Sequence, residues 1–117
     1  MRVEYVGPLC EGADHPELSG YNLQAFPETC YLVSVCEDAG VTGPLIEGDM
    51  LIVDEARPPG HGDLVIVDIE DEQHLLQIWR PGWQLRLRPY YSRGESLPAY
   101  GERLRGVVIS QARRYAI

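Results

Sequence analysis

Glu47-Gly48-Asp49-Met50-Leu51-Ile52-Val53-Asp54 is followed, across a Pro/Gly loop, by Gly62-Asp63-Leu64-Val65-Ile66-Val67-Asp68-Ile69, and these two runs decide the fold. Each opens on a Gly-Asp pair. Such a pair suits a turn, because glycine tolerates positive φ and aspartate caps nearby backbone groups. A short apolar run rich in Val, Ile and Leu follows each pair. Runs of that length between Gly and Pro fit buried strands and not helices. The connection 55–61 carries Pro58-Pro59-Gly60, which excludes a helix there. Two buried strands joined by a rigid loop form the centre of the domain. On these residues alone, any small β-barrel or sandwich would fit.

Outward from that centre, residues 29–36 alternate, with Tyr31, Val33 and Val35 on one face and Leu32, Ser34 and Cys36 on the other, as a strand requires. Residues 37–44, with two glycines and a proline, read as a loop. The acidic run Asp68, Glu70, Asp71, Glu72 falls where a hairpin turn belongs. A strand is expected over 74–80, a turn at Pro81-Gly82, and a hairpin partner over 83–89, with Leu85 and Leu87 inward and Arg86 and Arg88 outward. A loop over 90–100, a last strand over 104–110 and a polar tail over 111–117 complete the body. Residues 23–26 fit a helical turn ended by Pro27. The expected class is all-β, with six or seven strands. Residues 1–20, broken by Gly7-Pro8, Glu11-Gly12 and His15-Pro16, read as an N-terminal arm, either free or laid along the body as a strand. The body itself runs 21–117.

A chain of 117 residues makes one domain. Its net charge of −8 argues against a nucleic-acid face, and the clustered arginines, Arg86/Arg88 and Arg103/Arg105/Arg113/Arg114, read as solvated strand faces. No apolar run reaches membrane-spanning length, and no signal-peptide core is present. Cys10, Cys30 and Cys36 form no CxxC pair. On one extended strand Cys30 and Cys36 would stand about 20 Å apart, too far for a bridge. A reduced, cytoplasmic protein is expected. His15, His61 and His74 lack metal-ligand spacing, and no cofactor is expected. Trp79 and Trp83, on either side of Pro81-Gly82, suit either core caps or an exposed contact patch. The chain contains no lysine; its ten basic residues are all arginine.

The order of these segments resembles the self-cleaving domain of LexA-type repressors and, more closely, of UmuD. The carriers are Tyr31-Leu32-Val33-Ser34-Val35, the two Gly-Asp runs, Leu87-Arg88-Pro89 and Gly106-Val107-Val108-Ile109. Tyr21-Asn22-Leu23 and Phe26-Pro27-Glu28-Thr29-Cys30 add to them. The similarity spans about 21–113, and no stretch reads as the helix-turn-helix of the repressors. The resemblance implies a serine activated by a neutral lysine, kept neutral by burial beside apolar groups. Counting back from Gly48, the serine position falls on Ala39. Carrying the register forward from Gly62-Asp63, the lysine position falls on Leu76. Where the resemblance requires Ala-Gly or Cys-Gly at a cleavage site, the arm has Cys10-Glu11-Gly12.

Neither position retains reactive chemistry, so the expectation is a catalytically inactive, UmuD-like scaffold or regulator in the DNA-damage response or translesion synthesis. The cleft around Ala39 and Leu76 would then hold the arm or a partner peptide uncut. The alternative is the dimerisation half of a phage or mobile-element repressor. A further alternative is a cysteine peptidase using Cys36 and His74. The resemblance also implies a homodimer, with the last strand as its edge: Leu104, Gly106, Val107, Val108 and Ile109. Expected partners are a translesion polymerase subunit or a LexA/UmuD-like repressor, with no direct nucleic-acid or membrane contact.

Overall fold

In the computed structural model, which describes residues 1–9, 25–82, 84–90, 97–98 and 103–113, the apolar runs all become strands. In chain order these are β1 (Arg2–Pro8), β2 (Cys30–Val35), β3 (Met50–Asp54), β4 (Leu64–Ile69), β5 (Glu72–Trp79), β6 (Arg86–Pro89), β7 (Leu97–Pro98) and β8 (Leu104–Ala112). One 3₁₀ turn, Glu37–Ala39, lies wholly within the described residues. No helix there is long and apolar enough to cross a membrane. The all-β class is as expected from the sequence.

All pairings are antiparallel, in the order β1-β2-β3-β8-β4-β5-β6-β7. β1 also returns to β5, with Arg2 opposite His74 and Val3 opposite Gln73, and the Leu75 N–H donates to the Met1 carbonyl at 2.7 Å. Six strands thereby close into a barrel, and β6 and β7 extend from the far half of β5. Closure is by two residue pairs only, which shortens the open edges that are the usual hazard of small sheets.

Alternation sets the packing. Val3, Val33, Val35, Leu51, Val53, Ile66 and Leu75 point inward and fill the barrel. The opposite faces of the same strands form two outer clusters. Leu32, Met50, Ile52 and Ala112 pack beneath Leu9 and Phe26. Val65, Val67, Leu76, Ile78 and Val107 pack beneath Leu87. The acidic run turns as expected: Ile69 pairs with Glu72, and Glu70 and Asp71 between them take φ of 50° and 65°. Two consecutive left-handed residues are the geometry of a tight I′ hairpin.

Several expectations change. The strand count is eight because Arg2–Pro8, placed in an arm, is a full barrel strand, and because Leu97–Pro98 pairs within the expected loop. The last strand extends to Ala112, with Gln111 opposite Leu51, so the tail begins two residues later than expected. Most importantly, β8 is not an edge. It lies between β3 and β4, bonded on both sides, with one-residue bulges at Ile109 and Arg105. Gly106 and Val107 are buried, and Leu104, Val108 and Ile109 are half-buried against the clusters. No backbone is left there for a partner strand to pair with. Residues 10–24, which hold most of the arm, the start of the helical turn and the Cys10-Glu11-Gly12 site, lie outside the described residues. So do Trp83 and most of 91–102.

Candidate functional site

The position read as the degenerate nucleophile follows directly on β2. β2 ends at Val35, and Glu37–Ala39 closes into a 3₁₀ turn, with the Ala39 N–H donating to the Cys36 carbonyl at 3.2 Å. Gly40 ends the turn at φ 72°, its N–H donating to the Glu37 carbonyl at 3.0 Å, a conformation that suits glycine. The turn is tied to β1. The Arg2 N–H reaches the Asp38 carboxylate at 2.9 Å, and the Cys36 N–H donates to the Arg2 carbonyl at 3.0 Å.

The following loop is fixed by Asp49, which is 1% exposed. Its carboxylate accepts from the Ile46 N–H at 3.0 Å and the Gln111 side-chain amide at 3.0 Å. Arg113 adds a two-pronged contact, with Nε and a terminal nitrogen both at 2.7 Å. Burial pushes this carboxyl upward. The Arg113 and Ile46 hydrogen bonds, the Arg113 charge and Gln111 outweigh that, and Asp49 titrates below the usual aspartate range.

Leu76 is 7% exposed on β5, opposite Val65 and Pro89. Its side chain joins the outer cluster with Val65, Ile78 and Leu87. Ala39 packs instead against the barrel interior, the cluster that takes the neighbouring Leu75. The two positions therefore face different apolar clusters. Each is apolar, and each is backed by apolar side chains.

Cys36 and His74 are brought nearer each other than sequence distance implies, because both adjoin Arg2. His74 is its cross-strand partner, and Cys36 follows the strand on its other side. The Arg2 guanidinium is held above its ordinary pKa by the neighbouring Cys36 side chain, followed by the Glu72 and Asp38 charges. His74 Nε2 lies 3.4 Å from a Glu72 carboxylate oxygen. Each candidate thus has a different polar partner. Arg2 carries no signal in the sequence, since an arm laid along the body as a strand does not show which strands it will meet.

A second unforeseen feature lies on the β1–β2 face. The Tyr5 and Tyr31 rings pack at 5.6 Å, tilted by 49°, beside an open cavity of about 370 Å³ that Gln73 and Arg105 also line. The Tyr31 hydroxyl donates to the Arg105 carbonyl at 2.7 Å, and the Arg105 guanidinium pairs with Asp68. Burial, then the nearby Glu55 and Asp68 carboxylates, push the Tyr31 phenol far above its ordinary pKa, against the pull of Arg105. Among the described residues no three His, Cys, Asp or Glu gather as a metal would need.

No protein-family model matches this chain. Its sequence is similar to a LexA repressor of Pelotomaculum thermopropionicum, with 25% identity over 84 residues. The match takes in 72% of this chain and 41% of the repressor, so the chain spans less than half the length of that relative. The similarity supports a LexA-like relationship, and the all-β barrel is consistent with it.

Proposed function

We propose that this chain is a non-catalytic LexA/UmuD-like module that works by binding, as a dimeric scaffold or regulatory partner in the DNA-damage response. The observation that carries this reading is the pair Ala39 and Leu76 at the nucleophile and base positions of a chain with no lysine. Alanine has no oxygen to attack with, and leucine has no lone pair to take a proton. The packing is in keeping with that loss, since both side chains lie against apolar neighbours. A cytoplasmic location, self-association, and partnership with a translesion polymerase subunit or a repressor of the same kind belong to this proposal. With both edges of β8 engaged, self-association would use a surface other than the backbone of that strand.

The name of the similar protein favours a second reading, a repressor-type dimerisation domain that mixes with full-length repressors. A polymerase gene beside this one would favour the first reading, and a repressor operon the second.

Prolonged incubation at alkaline pH tests the loss of catalysis, because a neutral lysine is favoured there. The chain is expected to stay intact by mass spectrometry. A specific cut near Cys10 to Gly12 that disappears in Cys36→Ala would overturn the proposal in favour of the cysteine peptidase. Leu76→Lys should destabilise the fold by about 3 kcal/mol or more, as a buried unpaired charge does. Ala39→Ser, which adds one hydroxyl, should cost about 1 kcal/mol. Equal unfolding midpoints for Leu76→Lys and the parent would count against the register that places Leu76.

A further inference from the structure

From Gln73 to Gly94 the sequence holds no Asp or Glu, although the chain carries 18 of them. The same stretch supplies Arg80, Arg86, Arg88 and Arg93 and both tryptophans. The β5–β6 hairpin places Trp79, Arg86 and Arg88 on one face, with Arg80 following directly on Trp79. Gln77 stands opposite Arg88 and Trp79 opposite Arg86, and directly opposed residues of an antiparallel pair point the same way. Leu76, Ile78 and Leu87 take the other face and are buried. On the outward face Arg88 Nε donates to Gln77 Oε1 at 3.1 Å, and its guanidinium lies 5.6 Å from the Trp79 ring centroid. Trp79 is 36% exposed, and Arg80 and Arg88 are exposed. At the other end of β5 sit Asp68, Glu70, Asp71 and Glu72. The strand therefore carries opposite charge at its two ends, roughly 25 Å apart for an eight-residue strand.

We propose that the Trp79–Arg88 face of this hairpin is a docking surface for an acidic segment of a partner polypeptide. The argument is charge complementarity combined with preorganisation. The remainder of the chain carries all 18 Asp and Glu against six Arg, so a carboxylate-rich segment is drawn to this end more than to the rest, and orientation is favoured before contact. Arg88 is already held by Gln77 and by the Trp79 ring, so less side-chain freedom is lost when it grips a carboxylate. The exposed part of Trp79 offers apolar contact beside the charges, the usual composition of a binding anchor.

Nucleic acid fits the same face less well. A long polyanion would run past the arginines onto the acidic remainder, and Arg88 already lies over the ring on which a base would stack. The proposal does not depend on the loss of catalysis, so either reading can fail without the other.

Both tryptophans lie in this stretch, which makes intrinsic fluorescence a local probe. The full chain is titrated with a short Glu-rich peptide carrying one leucine, and separately with an oligothymidylate of similar length. A saturable change with the peptide, weakening as salt rises, is expected. Arg88→Ala and Arg80→Ala should each lower peptide affinity about tenfold, the worth of one charge-assisted hydrogen bond. Arg57→Ala, an exposed arginine elsewhere, should leave the affinity unchanged. Thermal midpoints confirm that each variant is folded, and Arg80→Ala serves if Arg88→Ala is not. Three results would overturn the proposal. They are no peptide binding, equal weakening by Arg57→Ala and the hairpin variants, and tighter binding of the oligothymidylate than of the peptide.

Discussion

Gly48-Asp49 and Gly62-Asp63 make the same turn twice. The two glycines have φ of 85° and 88°. In each turn the aspartate backbone N–H donates to the carbonyl three residues back, at 3.1 Å. Its carboxylate accepts from the N–H of that same residue, Ile46 at 3.0 Å and Gly60 at 2.7 Å. Each glycine N–H is then taken by a strand carbonyl at 2.9 Å, Val35 in one case and Ile78 in the other. Beyond that the turns diverge. Asp63 stays half-buried with its local bond, whereas Asp49 is buried and gripped by Gln111 and Arg113 from the far end of the chain. Identical local chemistry thus serves as a turn in one place and as a tertiary clamp in the other. What separates them is the strand that passes by.

Asp49→Ala should therefore cost about 3 kcal/mol, because it strips a buried two-pronged ion pair of one partner. Chemical denaturation would measure it. The carboxyl's depressed pKa adds a pH signature. Stability from Asp49 is fully present above the unfolded aspartate value, about 3.9, and is lost as pH falls through the lower folded-state value. The parent should lose stability steeply at the acid end, and Asp49→Ala should do so less steeply. If the Asp49 and Asp63 variants lose equal stability, the clamp has no energetic meaning and the comparison breaks.

Gly106→Ala should have the next largest effect, about 2 kcal/mol. A Cβ there would lie 2.6 Å from Val53 Cγ1 and 3.0 Å from the Asp54 carbonyl oxygen, at a φ of 147° that side chains rarely adopt. The methyl would push β8 off β3 and loosen the grip of Arg113 on Asp49. Combining it with Asp49→Ala sharpens the point: the two losses should add to less than their sum, since both act on one contact. Asp63→Ala should cost least, about 1 kcal/mol, as the loss of one exposed turn bond.

The turns were legible because Gly-Asp carries its geometry within four residues. The alternation of β2 and β6 was legible for the same reason, since period two needs no partner to be read. Arg2–Pro8 was legible only as one of two readings of the arm. Gly7-Pro8 breaks the pattern locally, and the strand exists because β2 pairs along most of it and β5 holds its first residues. The interior place of β8 was equally hidden, because 104–112 reads as a strand whichever neighbours it has. At the candidate site, the apolar character of Ala39 and Leu76 follows from their identity. That they face different clusters depends on which side of β5 meets the barrel, which only the closed sheet decides.

That same β8 has a consequence for how the molecule comes into being. β3 and β4 are neighbours in sequence, yet they never pair, because the space between them belongs to a strand made some forty residues later. During synthesis the two stand with facing edges open until β8 emerges and fills the gap. Pairings so distant in sequence close slowly, since loop entropy is lost before any contact is gained. The nascent chain is then most exposed to edge-to-edge aggregation just before its last strand is complete, and a chain cut short before Leu104 would remain in that state.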